Sequence, residues 1–148
     1  MNKLLSYFLL IATFNFGASM HGVAQEAISG KWKSIDEKTG DVKSVIEIME
    51  RGSKIYGKII KLFPKPNEDK DPVCDKCPRE DDRFNKKIIG MEIIKDMIKD
   101  GDEFEGGHIL DPEVGKVYRC KLWVDEGKLK VRGYLGPFFR TQTWLRMQ

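Results

Sequence analysis

The sequence contains little of the material from which metal centres and nucleophilic active sites are built. Its 148 residues include three Cys and two His, and no Walker loop, Gly-x-Ser-x-Gly elbow or His-Glu-x-x-His motif is present. His108 has no Ser or Cys nucleophile at a motif spacing from it, which favours an exposed or hydrogen-bonded strand His over a catalytic base. The sequence therefore predicts no catalytic residue, no metal site and no cofactor, and we expect the protein not to be an enzyme.

No apolar run reaches the ~20 residues that a membrane-spanning helix needs. The run from Leu4 to Gly17 follows Lys3 and leads into small residues that end at Ala24, which is the arrangement of a secretory signal peptide. We therefore predict a signal peptide over residues 1–24. Residues 25–148 are predicted to form a single domain that is exported to the periplasm or beyond the cell, without a membrane span.

Neither sign of charge dominates the chain, which disfavours nucleic acid as a partner. There are 26 Lys and Arg against 23 Asp and Glu. Within residues 116–148, however, eight Lys or Arg oppose only Asp125 and Glu126, a local net charge of +6. Such a cluster can form an anion-binding face. The simpler interpretation is favoured, in which these cations occupy outward positions of alternating strands and discourage edge pairing.

Gly, Pro and Asp recur every eight to twelve residues, the spacing typical of an all-β sandwich or barrel. The segment 116–124 alternates most clearly, with Tyr118, Cys120 and Leu122 on the side predicted to face inward. About eight strands are predicted, over residues 29–35, 42–50, 54–63, 86–94, 103–110, 116–124, 128–135 and 138–146. An eight-stranded antiparallel meander of this kind closes into a small barrel, which removes its free edges.

Two segments interrupt this regularity. Residues 86–100 fit both a buried strand and an amphipathic helix, and their β-branched residues together with Gly90 favour a strand that ends near Ile94. Residues 63–85 form one long, charged, Pro-rich loop. A loop of this length is usually functional or disordered, and we expect it to contribute little to the core.

The first strand begins with Gly30-Lys31-Trp32, which resembles the start of many calycin barrels, the group that includes the lipocalins and fatty-acid-binding proteins. In those barrels the Trp plugs the closed end, and an Arg from the last strand lies across it in a cation–π contact. The resemblance implies that Gly30, Trp32 and Arg146 close this barrel, with Arg140 as the alternative cation.

The C-terminal third carries a more specific resemblance. The run Asp-Pro-Glu-Val-Gly-Lys-Val-Tyr at residues 111–118 and the stretch from Leu129 to Trp144 are similar to the secreted bacterial family catalogued as domain of unknown function 2147. The similarity extends back to residue 28. It implies an exported, calycin-like barrel, and it implies no reaction. The chain departs from the family pattern at Arg51 and Tyr56, where many members carry a pair of Cys.

Cys74 and Cys77 lie in the long loop instead. A local disulfide is favoured because exported chains favour disulfides, and closing so small a ring stabilises by only ~2 kcal/mol. The alternatives are free thiols, a redox dithiol, which needs a helix N-terminus to lower a thiol pKa, and a zinc site, which needs Cys120 and His108 as further ligands. A calcium loop is disfavoured because Pro72 stands where that loop requires Gly.

These features favour a non-catalytic binding protein. The interior of an eight-stranded barrel is just wide enough for side chains or one small ligand, so the leading prediction is binding of a small apolar or amphipathic molecule in the cell envelope. The rival is a structural or protein-interaction module whose barrel is filled by its own side chains, and thiol exchange by the Cys pair is less favoured. The residues predicted to line or fill the interior are Phe104, Tyr118, Leu122, Phe138 and Trp144.

Overall fold

The computed structural model describes residues 27–148, so the predicted signal peptide lies outside the described residues. Eight antiparallel strands follow in chain order, each paired with the next, and the last pairs with the first to close a barrel. This confirms the eight-stranded meander predicted from the sequence. None of the described residues belongs to a helix long and apolar enough to cross a membrane. The strands are β1 (Gly30–Ile35), β2 (Val42–Arg51), β3 (Lys54–Leu62), β4 (Glu92–Asp100), β5 (Glu103–Asp111), β6 (Lys116–Asp125), β7 (Lys128–Leu135) and β8 (Phe138–Arg146).

The two ends of the barrel are built differently. Three tight hairpins, β2–β3, β4–β5 and β6–β7, share one end with the start of β1, and we call it the closed end. Gly52 turns the first of these hairpins with a φ of +66°, a conformation that glycine adopts without a steric penalty. The β1–β2, β5–β6 and β7–β8 turns lie at the opposite end, the mouth, together with the long connection between β3 and β4.

Strand alternation places one set of side chains inside the barrel. Trp32 is in register with Ile46 of β2, and Leu129 of β7 is in register with Trp144 of β8. Leu122 of β6 also belongs to this set, and all five side chains are buried. Because neighbouring strands keep the same inward phase, these side chains form one continuous core.

Strand β4 differs from its prediction in both extent and phase. Residues 86–91 of the predicted strand belong to the preceding loop, and the strand continues beyond Ile94 to Asp100. Asp96 has a φ of +61°, and Ile94 and Met97 on either side of it are both buried. Inward residues of a regular strand are two apart, whereas Ile94 and Met97 are three apart. The strand therefore contains one extra residue at Asp96, which is a β-bulge. Lys54 Nζ and Tyr56 Oη donate to the Asp96 carboxylate at 2.9 and 3.1 Å, which lowers its pKa.

The long loop, which spans residues 63–91, is packed against the barrel rather than projecting from it. The expectation that it contributes little to the core is therefore wrong. Cys74, Cys77, Ile88 and Met91 are buried members of the main core cluster, and Phe84 packs against it. The loop satisfies its own backbone groups, for example through the Cys74 N–H to the Lys86 carbonyl at 2.8 Å. Buried apolar contacts hold it in place without regular secondary structure.

Candidate functional site

Gly30, Trp32 and Arg146 lie together at the closed end. The Trp32 ring is fully buried, and its Nε1–H donates to the Ile28 carbonyl at 2.8 Å. The guanidinium carbon of Arg146 lies 4.1 Å from the ring centroid, and its Nη2 donates to the Ala27 carbonyl at 2.5 Å. A Cβ added to Gly30 would stand 3.3 Å from Arg146 Nη1. A glycine at this position thus leaves room for the cation that covers the ring.

The half of the barrel above this closure is filled by its own side chains. Of the residues predicted to line the interior, Leu122 and Trp144 are buried there, and Phe104 is half-buried against the same cluster. The other fully buried interior side chains include Ile46, Ile48, Ile94, Met97 and Leu129. The filled half therefore forms a floor, and a ligand inside the barrel would have to lie above it, nearer the mouth.

On β6, β7 and β8 the exposure of the inward positions rises from this floor to the mouth. Along β8 the side chain of Trp144 is buried, that of Gln142 is half-buried and that of Arg140 is exposed. Along β7 Leu129 and Val131 are buried, whereas Leu135 is exposed. These are alternate residues of continuous strands, so they share one face. We call this solvent-accessible part of the mouth, above the buried floor, the cup.

Polar groups line the cup just above its floor. The hydroxyls of Ser34 and Ser44 are 2.6 Å apart across β1 and β2, and the Nε1–H of Trp144 donates to Gln142 Oε1 at 3.1 Å. Tyr118, half-buried, stands opposite and packs 3.4 Å from the place a Gly133 Cβ would occupy. A molecule seated here would meet hydroxyl and amide groups beneath and apolar side chains around it. The sequence predicts Tyr118 at this site but not Ser34, Ser44 and Gln142. Their positions on the inward face of alternating strands are the sequence feature that could have identified them.

The prediction that Phe138 lines the interior of the barrel is wrong. Its side chain is 75 % exposed, although it has the same strand phase as Trp144. The physical reason is its position, because Leu135–Phe138 is the last pair of the β7–β8 hairpin. No further residue of either strand extends past Phe138 to cover the ring.

The first and last strands separate as they approach the mouth. β1 and β8 pair at Trp32–Arg146 and Lys33–Leu145, and their register pairing stops there. Nearer the mouth Arg140 Nη2 reaches Glu37 Oε2 in the β1–β2 turn, at 2.6 Å, which raises the pKa of Arg140. Arg140 therefore bridges this seam at the mouth, far from Trp32, and is not the cation of the closed end.

The comparisons with known proteins bear on this architecture. Residues 30–146 match the model of a family described as an uncharacterised protein conserved in bacteria, DUF2147. The chain belongs to this family. Among solved structures, the DUF2147 chain resembles protein HP1028 of the human pathogen Helicobacter pylori, described as belonging to the lipocalin family. The sequence identity is 20 %, the TM-score is 0.67, and the match covers 82 % of this chain and 84 % of that one.

These findings establish the lipocalin-like barrel of the DUF2147 chain and leave its activity open. At this level of identity the likeness to HP1028 speaks for the fold alone. No curated protein matches the sequence. The Arg51 guanidinium lies 3.8 Å from the centre of the Tyr56 ring, so the side chains at these two positions touch in a cation–π contact.

Cys74 and Cys77 form a disulfide in the long loop of the DUF2147 barrel. The bond occupies both thiols that the zinc alternative requires, so that alternative is wrong. Cys74 Sγ lies 3.8 Å from the Pro112 carbonyl in the β5–β6 turn, and both sulfurs are buried. The disulfide therefore anchors the loop against that turn. Within residues 27–148, no three His, Cys, Asp or Glu side chains are grouped as a metal site would require.

Two surface depressions lie outside the barrel. One, of about 330 Å³, is bounded by the end of the long loop and the start of β4. The other, of about 400 Å³, follows the interruption in the β5–β6 pairing and contains His108, Arg119 and Tyr134. Both are open to solvent and carry mixed charge. His108 thus lies on an outer face, beside Arg119 in the strand register.

Proposed function

We propose that this protein is a non-catalytic binding protein that takes one small amphipathic molecule into the mouth of its barrel. The observation that carries the proposal is the graded exposure of the inward positions of β6, β7 and β8 above a sealed floor. On these three strands the inward side chains nearest the mouth are not packed into the core, which is the feature that a bound molecule would cover.

The chemistry of the cup defines the class of ligand. Its lower wall offers the Ser34 and Ser44 hydroxyls and the Gln142 amide, which would orient one polar group. Its upper wall offers Tyr118 and its register partner Ile109, both half-buried, which would cover an apolar chain or ring. Few polar groups and a larger apolar surface are typical of small-molecule sites. A short amphipathic molecule fits this pattern better than a wholly apolar one.

Export to the cell envelope belongs to the same proposal. The Cys74–Cys77 disulfide supports it, because disulfides persist in oxidising compartments. N-terminal sequencing of the protein purified from its own host should begin within a few residues of Gln25. Recovery of an intact Met1 in the cytosol would contradict export and leave the binding proposal standing.

The filled-barrel alternative draws support from the floor itself. Trp32, Ile46 and Trp144 are buried in the closed half, so a structural or interaction module remains the second candidate. Thiol exchange has less support, since both disulfide sulfurs are buried and an attacking thiolate needs access to one of them.

The decisive experiment fills the cup without touching its floor. Gly133 lies on the inward face of β7, and a Cβ there would make only ordinary contact with Tyr118. Gly133→Leu, with its folding checked by circular dichroism, should weaken binding of a fluorescent amphiphile, measured by titration, by about tenfold or more. Thr143→Leu adds apolar bulk on the outer face of β8 and is the matched control, which should bind as the unmodified protein does.

Native mass spectrometry of host-purified protein provides an independent check. A co-purifying small molecule that is absent from Gly133→Leu would support the proposal. An unliganded mass, together with equal titrations of the two variants, would favour the filled-barrel module.

A further inference from the structure

The β7–β8 hairpin presents an apolar tip at the mouth. Leu135, Phe138 and Phe139 flank the Gly136-Pro137 turn and are 54, 75 and 60 % exposed. The two Phe are consecutive, so their side chains leave opposite faces of β8, and in a covered strand one of them would be buried. Single exposed apolar residues are ordinary, whereas a contiguous exposed cluster marks an interaction site.

Arginines stand directly behind this tip on the outer face of the barrel. The Arg132 guanidinium carbon lies 4.5 Å from the centre of the Phe139 ring and 4.9 Å from that of Trp123. The Arg119 guanidinium carbon lies 5.7 Å from the centre of the Tyr134 ring, which is itself 6.0 Å from that of Phe139. These contacts connect Arg119, Arg132, Tyr134 and Phe139 on the outer face. Together with Leu135 and Phe138 on the other face of the same hairpin tip, we call them the rim patch.

The strands β6 to β8 place no acidic residue near the rim patch, and Glu105 of β5, which borders the same depression as Arg119, is paired with Lys121 at 3.4 Å. Residues 116–124 and 127–148 contain no Asp or Glu. The two acidic residues of the C-terminal third, Asp125 and Glu126, lie in the β6–β7 hairpin at the closed end. The charge of the nearby Arg140 is neutralised by its ion pair with Glu37. The positive charge of the patch therefore comes from Arg119 and Arg132. The complementary surface is one with negative charge in front of an apolar layer.

The dimensions of the patch match the boundary layer of a lipid bilayer. Each strand residue advances ~3.3 Å, so Arg132 lies roughly 10 Å behind the hairpin tip. Interfacial segments bury their apolar groups ~5–10 Å into the headgroup and acyl boundary. At that depth the two arginines would meet the lipid phosphates, at a surface that anionic lipids make negative. A five-residue tip is too small for a stable protein interface, which covers ~800 Å² per partner.

We propose that the rim patch docks the barrel, mouth first, onto the surface of an anionic phospholipid bilayer. Phe138 and Phe139 enter the boundary layer, and Arg119 and Arg132 bind lipid phosphates. This contact is peripheral and reversible. It does not depend on whether the mouth holds a ligand, so it stands apart from the proposed binding function.

Vesicle co-sedimentation of the protein isolated from its host tests the docking. It should bind vesicles of phosphatidylcholine mixed with phosphatidylglycerol, bind pure phosphatidylcholine at least tenfold more weakly, and release from the mixed vesicles in high salt. Phe138→Ser/Phe139→Ser and Arg119→Gln/Arg132→Gln should each lose about tenfold or more in binding. Ile98→Ser, which removes an apolar residue 51 % exposed on β4, and Lys128→Gln at the closed end should bind as the unmodified protein does.

A spectroscopic measurement covers the case in which an arginine variant is poorly folded. Phe138→Trp places an indole at the most exposed position of the tip, and its fluorescence should shift to the blue and be quenched by brominated lipid when anionic vesicles are added. Absence of both changes would overturn the proposal, as would equal binding to neutral vesicles or an equal loss in Ile98→Ser. A change in sedimenting mass caused by Phe138→Ser/Phe139→Ser without lipid would instead identify the patch as an interface between copies of this chain.

Discussion

At the scale of single residues, Trp32 and Arg146 carry the closure of the barrel. Trp32→Ala should lower the free energy of unfolding by ~3–5 kcal/mol, because it removes a large buried ring and leaves a cavity. Arg146→Ala should lower it by about 1–2 kcal/mol, since it removes a cation–π contact and the hydrogen bond to the Ala27 carbonyl. Urea denaturation of each variant measures both values.

The double variant tests whether the two side chains act as one unit. With the Arg146 guanidinium 4.1 Å from the indole, part of the effect is shared, so the double variant should lose less stability than the two single variants together. The same cycle made with Arg140→Ala, at the far end of the barrel, should be additive. Additivity in the Arg146 cycle would show that the ring is held without the cation.

Cys120 is the third residue of consequence, as the free thiol of the described chain. It is buried on β6 as its predicted inward phase requires, and desolvation raises its pKa to about 12. The reactive thiolate is therefore scarce at pH 8, and alkylation of the native protein should be slow and become fast in denaturant. A cysteine introduced at exposed Ser53 provides the reactive control. Rapid native labelling of Cys120 would contradict its burial.

At the scale of elements, the packing of the long loop depends on one glycine. Gly115 in the β5–β6 turn has a φ of +69°, and a Cβ there would overlap the Lys76 carbonyl between the two disulfide cysteines. Gly115→Ala should therefore destabilise the protein by about 3 kcal/mol or more, combining backbone strain with overpacking. Hydrogen exchange should rise in residues 72–88 before it rises in the strands.

Gly40 is the matched control for this substitution. Its φ of +77° imposes the same kind of backbone strain, but a Cβ at Gly40 would meet nothing within 4 Å. Gly40→Ala should cost about 1 kcal/mol and leave exchange in the loop unchanged. Equal effects of the two alanines would show that the loop does not rest on the β5–β6 turn.

At the scale of the whole molecule, the seam between β1 and β8 is the weakest part of the barrel wall. These strands pair at two positions, whereas β7 and β8 pair at eight. Local opening follows the distribution of such bonds, so native-state hydrogen exchange should be fastest, among strand residues, at the mouth half of β8. Arg140→Gln should speed it further by removing the Glu37 ion pair, with a small effect on global stability because the pair is exposed. Uniform exchange across the eight strands would contradict a weak seam.

The sequence by itself determined the features that depend on local periodicity. Turn residues and alternation are properties of a few neighbours, so eight strands and the inward phase of Leu122 and Trp144 followed from them directly. The Gly-x-Trp start and the terminal Arg predicted the trio that the fold brings together at the closed end. The oxidised Cys pair followed from spacing and from the expected compartment.

Only the tertiary structure decided which of these positions are covered. Phe138 and Trp144 share one strand phase, yet one is exposed and the other buried, because burial depends on whether another strand extends alongside. The bulge at Asp96 and the burial of Cys74 and Cys77 likewise arise from distant partners, Lys54 and Tyr56 in one case and the β5–β6 turn in the other. Alternation assigns a side chain to a face of the sheet, and only the closed barrel determines whether that face is floor, mouth or rim.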